Sequence, residues 1–305
     1  RVAKPLEAMG ARFEFERGDG LPMTVHGGVL HGVSWHSETA SAQVKSAILL
    51  AGLVADVPVE VSDRSFTRDH TERMLRARGV DVLSEPNGLV TLKPSGRLDA
   101  ADTSVPGDPS SAAFFVALAA LASGGTVSIG QVCVNPTRTG AFKALGDMGA
   151  AIGYEDAHDD GGEPVATLVV KAKSLRGITI GSDVVPSLID ELPVIACVAS
   201  RAAGETRVTG AAELRVKESD RIAAVVQNLK AIGADAEELP DGFVVRGSDR
   251  PFRGRVRTHG DHRIAMAFGV LGALDGNAID IDDRDCVSVS YPDFWSDLAR
   301  VSRSN

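Results

Sequence analysis

Residues 110–149 contain one copy of the pattern that decides the fold. The apolar stretch Ala112-Ala-Phe-Phe-Val-Ala-Leu118 is followed by a glycine break and the strand-forming stretch Gly124-Gly-Thr-Val-Ser-Ile129. A second stretch of helical character, Ala141–Gly149, ends the copy. The predicted order is therefore helix, turn, short strand, loop, helix.

The same order occurs three more times, in Ala42–Val80, Asp190–Gly233 and Asp261–Val301. Repetition of this kind indicates an α/β protein built from copies of one unit, with strand pairs between the copies. Because several of the helices are apolar on all sides, we expect sheets to enclose them. A strand-like stretch ends shortly before Asp102–Pro106, which predicts a first domain of residues 1–104 and a second domain of residues 105–305 that holds three copies.

Composition excludes several classes of protein. A formal net charge of −9 argues against a partner that is a nucleic acid or an acidic membrane, so an anionic ligand would need a local cationic site. The sequence has no run of 18 apolar residues and does not open on a signal peptide. Its 3 cysteines are scattered, which predicts neither a disulfide framework nor a zinc site and fits the cytoplasm. The chain starts at Arg1 within a helix-like stretch, so we expect that its N-terminus is missing.

The helix starts are polar and differ from one another, which suggests that they face a ligand. The most charged start is Glu213-Leu-Arg-Val-Lys-Glu-Ser-Asp-Arg-Ile222, before a helix with one apolar stripe. There Lys217 and Arg221 would share a face if both are helical, and Glu218 would be a carboxylate among cations. A solvated charged turn is the alternative.

Other helix starts supply further candidates, each with a structural alternative. Asp190, just before Pro193, is a candidate base for a hydroxyl proton or else an N-cap. Arg263 is a candidate for an anion, or else a surface partner of Asp261. Ser41 and Gln43 offer a hydroxyl and an amide, with capping as the alternative, and Arg68 could be a solvated charge.

Six stretches together resemble the EPSP synthase family, over essentially the whole chain and in order. They are Ser41-Ala-Gln-Val-Lys-Ser-Ala-Ile-Leu-Leu-Ala-Gly-Leu53, Thr67-Arg-Asp-His-Thr-Glu72, Val105-Pro-Gly-Asp-Pro-Ser-Ser-Ala-Ala113, Ile189-Asp-Glu-Leu-Pro193, Leu214-Arg-Val-Lys-Glu-Ser-Asp-Arg221 and Asp261-His-Arg-Ile-Ala-Met266. Their wording resembles the glyphosate-tolerant bacterial forms. The resemblance implies the two-lobed enolpyruvyl transferase fold of βαβαββ units, with helix N-termini lining the cleft between the lobes and with the first lobe incomplete.

The resemblance also implies a reaction without metal or organic cofactor. The enolpyruvyl group of phosphoenolpyruvate passes to the 5-hydroxyl of shikimate 3-phosphate, and phosphate is released. Asp190 would be the base and Glu218 the acid. Phosphoenolpyruvate would be bound by Gln43, Lys217, Arg221 and Arg263. Shikimate 3-phosphate would be bound by Ser41, Ala42, Gln43, Arg68, Asp190 and Lys217.

Two departures from the family bear on activity. Val289 stands where the family often has a lysine. Further substrate-binding residues of the family would precede Arg1, so we expect these 305 residues alone to be inactive and the full-length protein to be a monomer. The alternatives are a UDP-N-acetylglucosamine enolpyruvyl transferase, whose motifs fit less well, and a non-catalytic homologue that only binds ligand.

Overall fold

The computed structural model describes residues 1–37, 40–94 and 97–302. The chain divides into two compact units, residues 1–105 with 159–163 and residues 106–158 with 164–305. Helices and strands alternate in both, so the predicted α/β class is confirmed. In the described residues no helix is both long enough and apolar enough to cross a bilayer.

The first unit contains a hairpin and a four-stranded sheet. Its elements are α1 (Ala3–Ala8), β1 (Arg12–Phe15), β2 (Met23–His26), β3 (Val33–His36), α2 (Ala42–Ala55), β4 (Val59–Ser62), α3 (His70–Arg76), β5 (Val82–Ser84) and β6 (Leu89–Leu92). The sheet order is β3-β4-β6-β5, in which β3 and β4 are parallel and the other pairs antiparallel. Its core joins Val44, Ile48 and Leu49 of α2 to Val59 and Val61 of β4.

The second unit repeats that arrangement. Its elements, apart from the hairpin tip 159–163, are α4 (Pro109–Leu121), β7 (Thr126–Cys133), α5 (Gly140–Met148), β8 (Ala151–Asp160), β9 (Glu163–Lys171), β10 (Thr179–Ile180), α6 (Leu192–Ala199), β11 (Glu205–Val208), α7 (Arg221–Ala231), β12 (Asp235–Leu239), β13 (Gly242–Arg246), β14 (Arg253–Val256), α8 (His262–Gly272), β15 (Ala278–Ile281) and α9 (Phe294–Ser302).

The predicted order of helix, strand and helix is confirmed in all four copies, and in the described residues the first three copies extend it to a βαβαββ topology. The sheet β10-β11-β13-β12 has the same strand order and the same parallel and antiparallel pairs as the sheet of the first unit. In a third copy a parallel bridge between Gly107 and Val132 takes the place of the first strand, beside the sheet β7-β9-β8. The last copy pairs β14 with β15 in parallel around α8.

Three helices form the centre of the second unit. All eight residues of α6 are buried, and so are eleven of the thirteen residues of α4. These two helices pack against each other and against α8, which accounts for their apolar residues on every side. Their N-terminal ends, with the start of α7, bring together the polar residues described next.

Candidate active site

Arg221 and Asp261 form the buried centre of a charged cluster in the second unit. Arg221 is the first residue of α7 and is 1% exposed, whereas Asp261 precedes α8 and is fully buried. The guanidinium donates to the carboxylate twice, from Nε at 2.8 Å and from Nη2 at 3.2 Å. Burial opposes the charge on Asp261, but the hydrogen bonds and charge of Arg221 outweigh it and lower the pKa of that carboxyl.

Asp261 also fixes the two segments beside it. Its carboxylate accepts from the backbone N–H of Arg263 at 3.0 Å, which caps α8. It accepts a further bond from the Ser219 hydroxyl at 2.9 Å. One buried carboxylate therefore sets the position of α8 relative to the loop before α7.

Asp190 lies among three cations. Its Oδ1 is 3.4 Å from Nη1 of Arg221 and 3.7 Å from Nζ of Lys217, and its Oδ2 is 3.9 Å from Nη2 of Arg263. It belongs to the short 3-10 turn Ile189–Glu191 that leads into α6, whose first residues include Pro193. The N-cap alternative for Asp190 is wrong, because α6 begins at Leu192 and its cap position is Glu191.

Lys217 and Glu218 lie in the loop that precedes α7. Lys217 has an extended backbone, so the condition for sharing a helical face with Arg221, that both residues are helical, is not met. It reaches Asp190 from the loop, and its Nζ is also 3.3 Å from Oε1 of Glu213. The Glu218 carboxylate accepts a 2.6 Å hydrogen bond from Nη2 of Arg221, and its side chain is 53% exposed.

The side chain of Arg263 points toward the start of α6. Its Nη1 donates to the backbone oxygen of Asp190 at 3.1 Å and to Oε1 of Glu191 at 3.3 Å. A surface ion pair with the Asp261 side chain, the alternative weighed above, is not what the structure contains. In the part of the chain that the structure describes, Asp261 accepts from the backbone N–H of Arg263, and the Arg263 guanidinium donates to Asp190 and Glu191.

Glu191 and Arg138 extend the cluster, although the sequence did not mark them as site residues. Glu191 is 4% exposed, and burial raises its pKa against the opposing effects of Arg263 and Ser110. Arg138 donates to the Asp108 carboxylate and to the Ser110 hydroxyl, both at 2.8 Å. Glu191 could have been found as the second of two adjacent carboxylates before an apolar helix. Arg138 has no such local signal, since its role depends on how α4 packs.

Arg215 and Asp220 have structural roles in this segment. Arg215 binds the Asp220 carboxylate at 2.8 Å and the backbone oxygens of Leu239 and Pro240. Asp220 caps α7 by accepting from the backbone N–H of Ala223. The solvated-turn alternative is wrong for Arg221, which is buried, whereas the side chains of Glu213 and Glu218 in the same segment are exposed.

The candidates of the first unit lie at the start of α2 and before α3. Ser41 caps α2 by accepting from the backbone N–H of Val44 at 3.4 Å, so the capping alternative is confirmed. Ala42 and Gln43 follow in the first turn, and the Gln43 side chain accepts a 3.3 Å bond from Arg1. Arg68 is partly buried in the loop between β4 and α3.

The arrangement in the second unit suits an anionic ligand. Its carboxylates contact arginine and lysine side chains at the starts of α6, α7 and α8. A carboxylate held among cations can accept a proton from a hydroxyl, while the cations offset negative charge that develops next to it.

Comparisons with known proteins agree with one another. A family model described as EPSP synthase (3-phosphoshikimate 1-carboxyvinyltransferase) matches residues 1–298. The 3-phosphoshikimate 1-carboxyvinyltransferase of Sulfurihydrogenibium sp. is 46% identical, over 99% of this chain and 71% of that protein. The enzyme of the same name from Aquifex aeolicus is 44% identical over the same shares of the two chains.

Solved structures show the fold. EPSP synthase from Acinetobacter baumannii superposes with a TM-score of 0.89 at 42% identity, over 99% of this chain and 69% of that one. The enolpyruvyl transferase NikO from Streptomyces tendae has a TM-score of 0.73 at 16% identity, over 98% of this chain and 70% of that one, a likeness of fold alone. The expected enolpyruvyl transferase fold is thereby confirmed.

Proposed function

This chain belongs to the EPSP synthase (3-phosphoshikimate 1-carboxyvinyltransferase) family, and on that premise we propose how its residues carry out enolpyruvyl transfer. The protein is a transferase with small-molecule substrates. It moves the enolpyruvyl group of phosphoenolpyruvate to the 5-hydroxyl of shikimate 3-phosphate and releases phosphate. The alternative of a UDP-N-acetylglucosamine enolpyruvyl transferase is not favoured, because the matching family and the relatives named above carry the shikimate 3-phosphate name.

The observation that supports this function best is the setting of Asp190. A carboxylate within 4 Å of three cationic side chains can take the proton of the 5-hydroxyl while phosphate and carboxylate groups of the ligands bind those cations. Asp190 is therefore the proposed base. Lys217 and Arg263 are the proposed partners of phosphoenolpyruvate, and Asp190 and Lys217 also contact shikimate 3-phosphate.

Glu218 is the proposed acid. As the hydroxyl oxygen bonds to C2 of phosphoenolpyruvate, the methylene carbon C3 gains a proton from Glu218 and the double bond is lost. The product contains the double bond again, so the proton must leave C3 as the C2–O bond to phosphate breaks. One carboxyl that gives and then takes back this proton balances both steps.

The proposed role of Arg221 in binding phosphoenolpyruvate is limited by the contacts that it already makes. It is 1% exposed and already binds Asp261, Glu218 and Asp190. We expect an anionic group of phosphoenolpyruvate to take the place of Glu218 on Arg221, since the Glu218 side chain is half exposed and can turn away. That exchange would free Glu218 to reach C3 and would give Arg221 its proposed contact with phosphoenolpyruvate.

The first unit supplies the remaining proposed contacts with shikimate 3-phosphate. Ser41, Ala42 and Gln43 offer a hydroxyl, a backbone N–H and an amide in the first turn of α2, and Arg68 offers a guanidinium. Gln43 is also a proposed partner of phosphoenolpyruvate. We further propose a monomer that works in the cytoplasm, where its three cysteines, which form no disulfide, would stay reduced, without metal or organic cofactor.

The function is tested by release of phosphate from phosphoenolpyruvate with the protein expressed from its complete reading frame. We expect release that depends on shikimate 3-phosphate and no release when UDP-N-acetylglucosamine is the acceptor. The assignment would be contradicted if phosphate release required UDP-N-acetylglucosamine, or if a folded protein released no phosphate with either acceptor.

A further inference from the structure

Three buried ionic side chains form a group in the first unit that the reaction above does not use. They are Lys45 on α2, Asp63 just after β4 and Glu72 on α3, with exposures of 3%, 8% and 1%. The Lys45 Nζ lies 2.8 Å from Oδ2 of Asp63 and 2.6 Å from Oε1 of Glu72. One ammonium group therefore lies between two carboxylates from different elements.

This group holds the residue immediately before Arg68. Oδ2 of Asp63 accepts from the backbone N–H of Thr67 at 2.9 Å and from its hydroxyl at 2.7 Å. The Lys45 ammonium donates to the backbone oxygen of Thr67 at 3.3 Å. Both backbone polar groups of Thr67 and its side chain are thus fixed by Lys45 and Asp63.

The same lysine lies one helical turn after Ser41, so it joins two segments that carry proposed ligand contacts. One segment is the first turn of α2, and the other is the loop that ends in Arg68. A contact between α2 and α3, the helix that follows this loop, supports the link, since the hydroxyls of Ser46 and Thr71 lie 2.7 Å apart.

Stability alone does not account for such a group. Buried ion pairs are often no better than apolar side chains of similar volume, because each charge loses its hydration. What the group does supply is a fixed geometry, since a single Nζ sets the distances among α2, α3 and the loop after β4.

We propose that Lys45 is a positioning residue for shikimate 3-phosphate, acting through Arg68. Lys45, Asp63 and Thr67, here called the Lys45 tether, hold Arg68 in a fixed place relative to the first turn of α2. Glu72 balances the buried charge and is outside the tether. This inference rests on the proposed role of Arg68 in binding shikimate 3-phosphate.

The main test variant is Lys45→Met combined with Glu72→Gln, in the protein expressed from its complete reading frame. The double change removes Lys45 from the tether, keeps the hydrogen bonds of Thr67 to Asp63 and leaves the net charge of the buried group unchanged. One buried carboxylate, rather than two, then loses its cation. We expect KM for shikimate 3-phosphate to rise about tenfold or more, with kcat and KM for phosphoenolpyruvate within about threefold of wild type, the signature of lost uniform binding. Glu72→Gln alone is the control for the loss of the Glu72 carboxylate, since it keeps Lys45, Asp63 and Thr67, and its rise in KM should be much smaller.

A double-mutant cycle separates positioning from a merely structural effect. In an Arg68→Ala background the same double change should raise KM for shikimate 3-phosphate no further, because the tether acts only through Arg68. Thr67→Val, which removes one hydrogen bond and keeps the side-chain volume, is the second variant should the first fail to fold. It should raise KM several-fold with Arg68 present and not without it.

The outcomes distinguish the two proposals. If Arg68→Ala leaves KM for shikimate 3-phosphate unchanged, the proposed role of Arg68 fails and the tether proposal fails with it. If Arg68→Ala raises KM but the tether variants do not, or if they raise it equally without Arg68, the tether proposal alone is overturned.

Discussion

Arg221 is the residue on which the charged cluster of the second unit depends. A guanidinium has five N–H donors in a fixed plane, and here they meet the carboxylates of Asp261, Glu218 and Asp190. Two of those carboxylates are the proposed acid and base. The buried pair of Arg221 with Asp261 therefore fixes the positions of the proposed acid Glu218 and the proposed base Asp190.

Asp261→Asn tests the worth of that pair. The change removes the buried partner of Arg221 and leaves the guanidinium with Glu218 and Asp190, so we expect the free energy of unfolding at pH 7 to fall by about 3 kcal/mol. The measurement is urea unfolding followed by circular dichroism. A loss below about 1 kcal/mol would mean that the pair contributes little to the fold.

Asp261→Asn should also change how the free energy of unfolding depends on pH. The folded-state pKa of Asp261 is lowered, so its carboxylate stabilises the fold fully above the unfolded pKa, which is about 4, and this contribution is lost as pH falls through the folded pKa. Wild type should therefore lose more unfolding free energy between pH 5 and pH 3 than Asp261→Asn does. Glu191 acts in the opposite sense but is present in both proteins, so it cancels in the comparison.

Glu218→Gln tests the proposed acid. An amide keeps the shape of the side chain and cannot give a proton to C3, so we expect kcat for phosphate release to fall about 10²-fold or more. Glu238→Gln is a matched control. Glu238 lies in β12 and pairs with Arg215, which has a structural role in the segment before α7. A rate for Glu218→Gln close to that of the control would remove Glu218 from the chemistry.

Most features that the sequence predicts correctly belong to individual helices and strands. The apolar stripe Ile222, Val225, Val226 and Leu229 is buried along α7, and Asp108 caps α4, whose first residue is Pro109. These features follow from periodicity and capping, which are local. The extended backbone of Lys217 and the 3-10 turn at Asp190 were not predictable in the same way, because contacts distant in sequence fix them.

Substitution by alanine should have opposite effects on the free energy of unfolding at two glycines of the second unit. At Gly242 in β13 an added Cβ would overlap the carbonyl oxygen of Val208 in the adjacent strand β11, so Gly242→Ala should lower the free energy of unfolding by about 1–3 kcal/mol. Gly146 lies on the exposed side of α5 with open space around it, so Gly146→Ala should raise that free energy by about 0.5–1 kcal/mol. Urea unfolding of both variants checks the signs, and equal effects would contradict the packing described.

Across the whole molecule, the fold class and the repeated topology follow from four copies of one sequence pattern. The ion-pair geometry does not, because the identity of a charged residue predicts neither its partner nor its burial. Arg138 and Glu191 illustrate this, since their contacts arise only when α4, α6 and α8 pack together. The family motifs predict which residues are candidates for the site. The packing of the helices determines which partners those residues contact.

The proposed division into domains of residues 1–104 and 105–305 predicts where the folded chain is cut. Residues 97–105 are exposed and lie outside any helix or strand, and Arg97 is a trypsin site within them. We expect the first stable cleavage by trypsin at Arg97, giving two fragments that resist further digestion. Mass spectrometry identifies the cut, and a first stable cut inside the repeats of the second unit would contradict the division.

The most direct test of the central claim is the turnover of Asp190→Asn, measured as phosphate released from phosphoenolpyruvate in the presence of shikimate 3-phosphate. The protein from the complete reading frame is used, and ligand binding is measured alongside to show that the variant stays folded. The amide cannot accept the 5-hydroxyl proton, so the account predicts that kcat falls about 10²-fold or more while both substrates still bind. A folded Asp190→Asn variant with near-wild-type kcat would contradict the account.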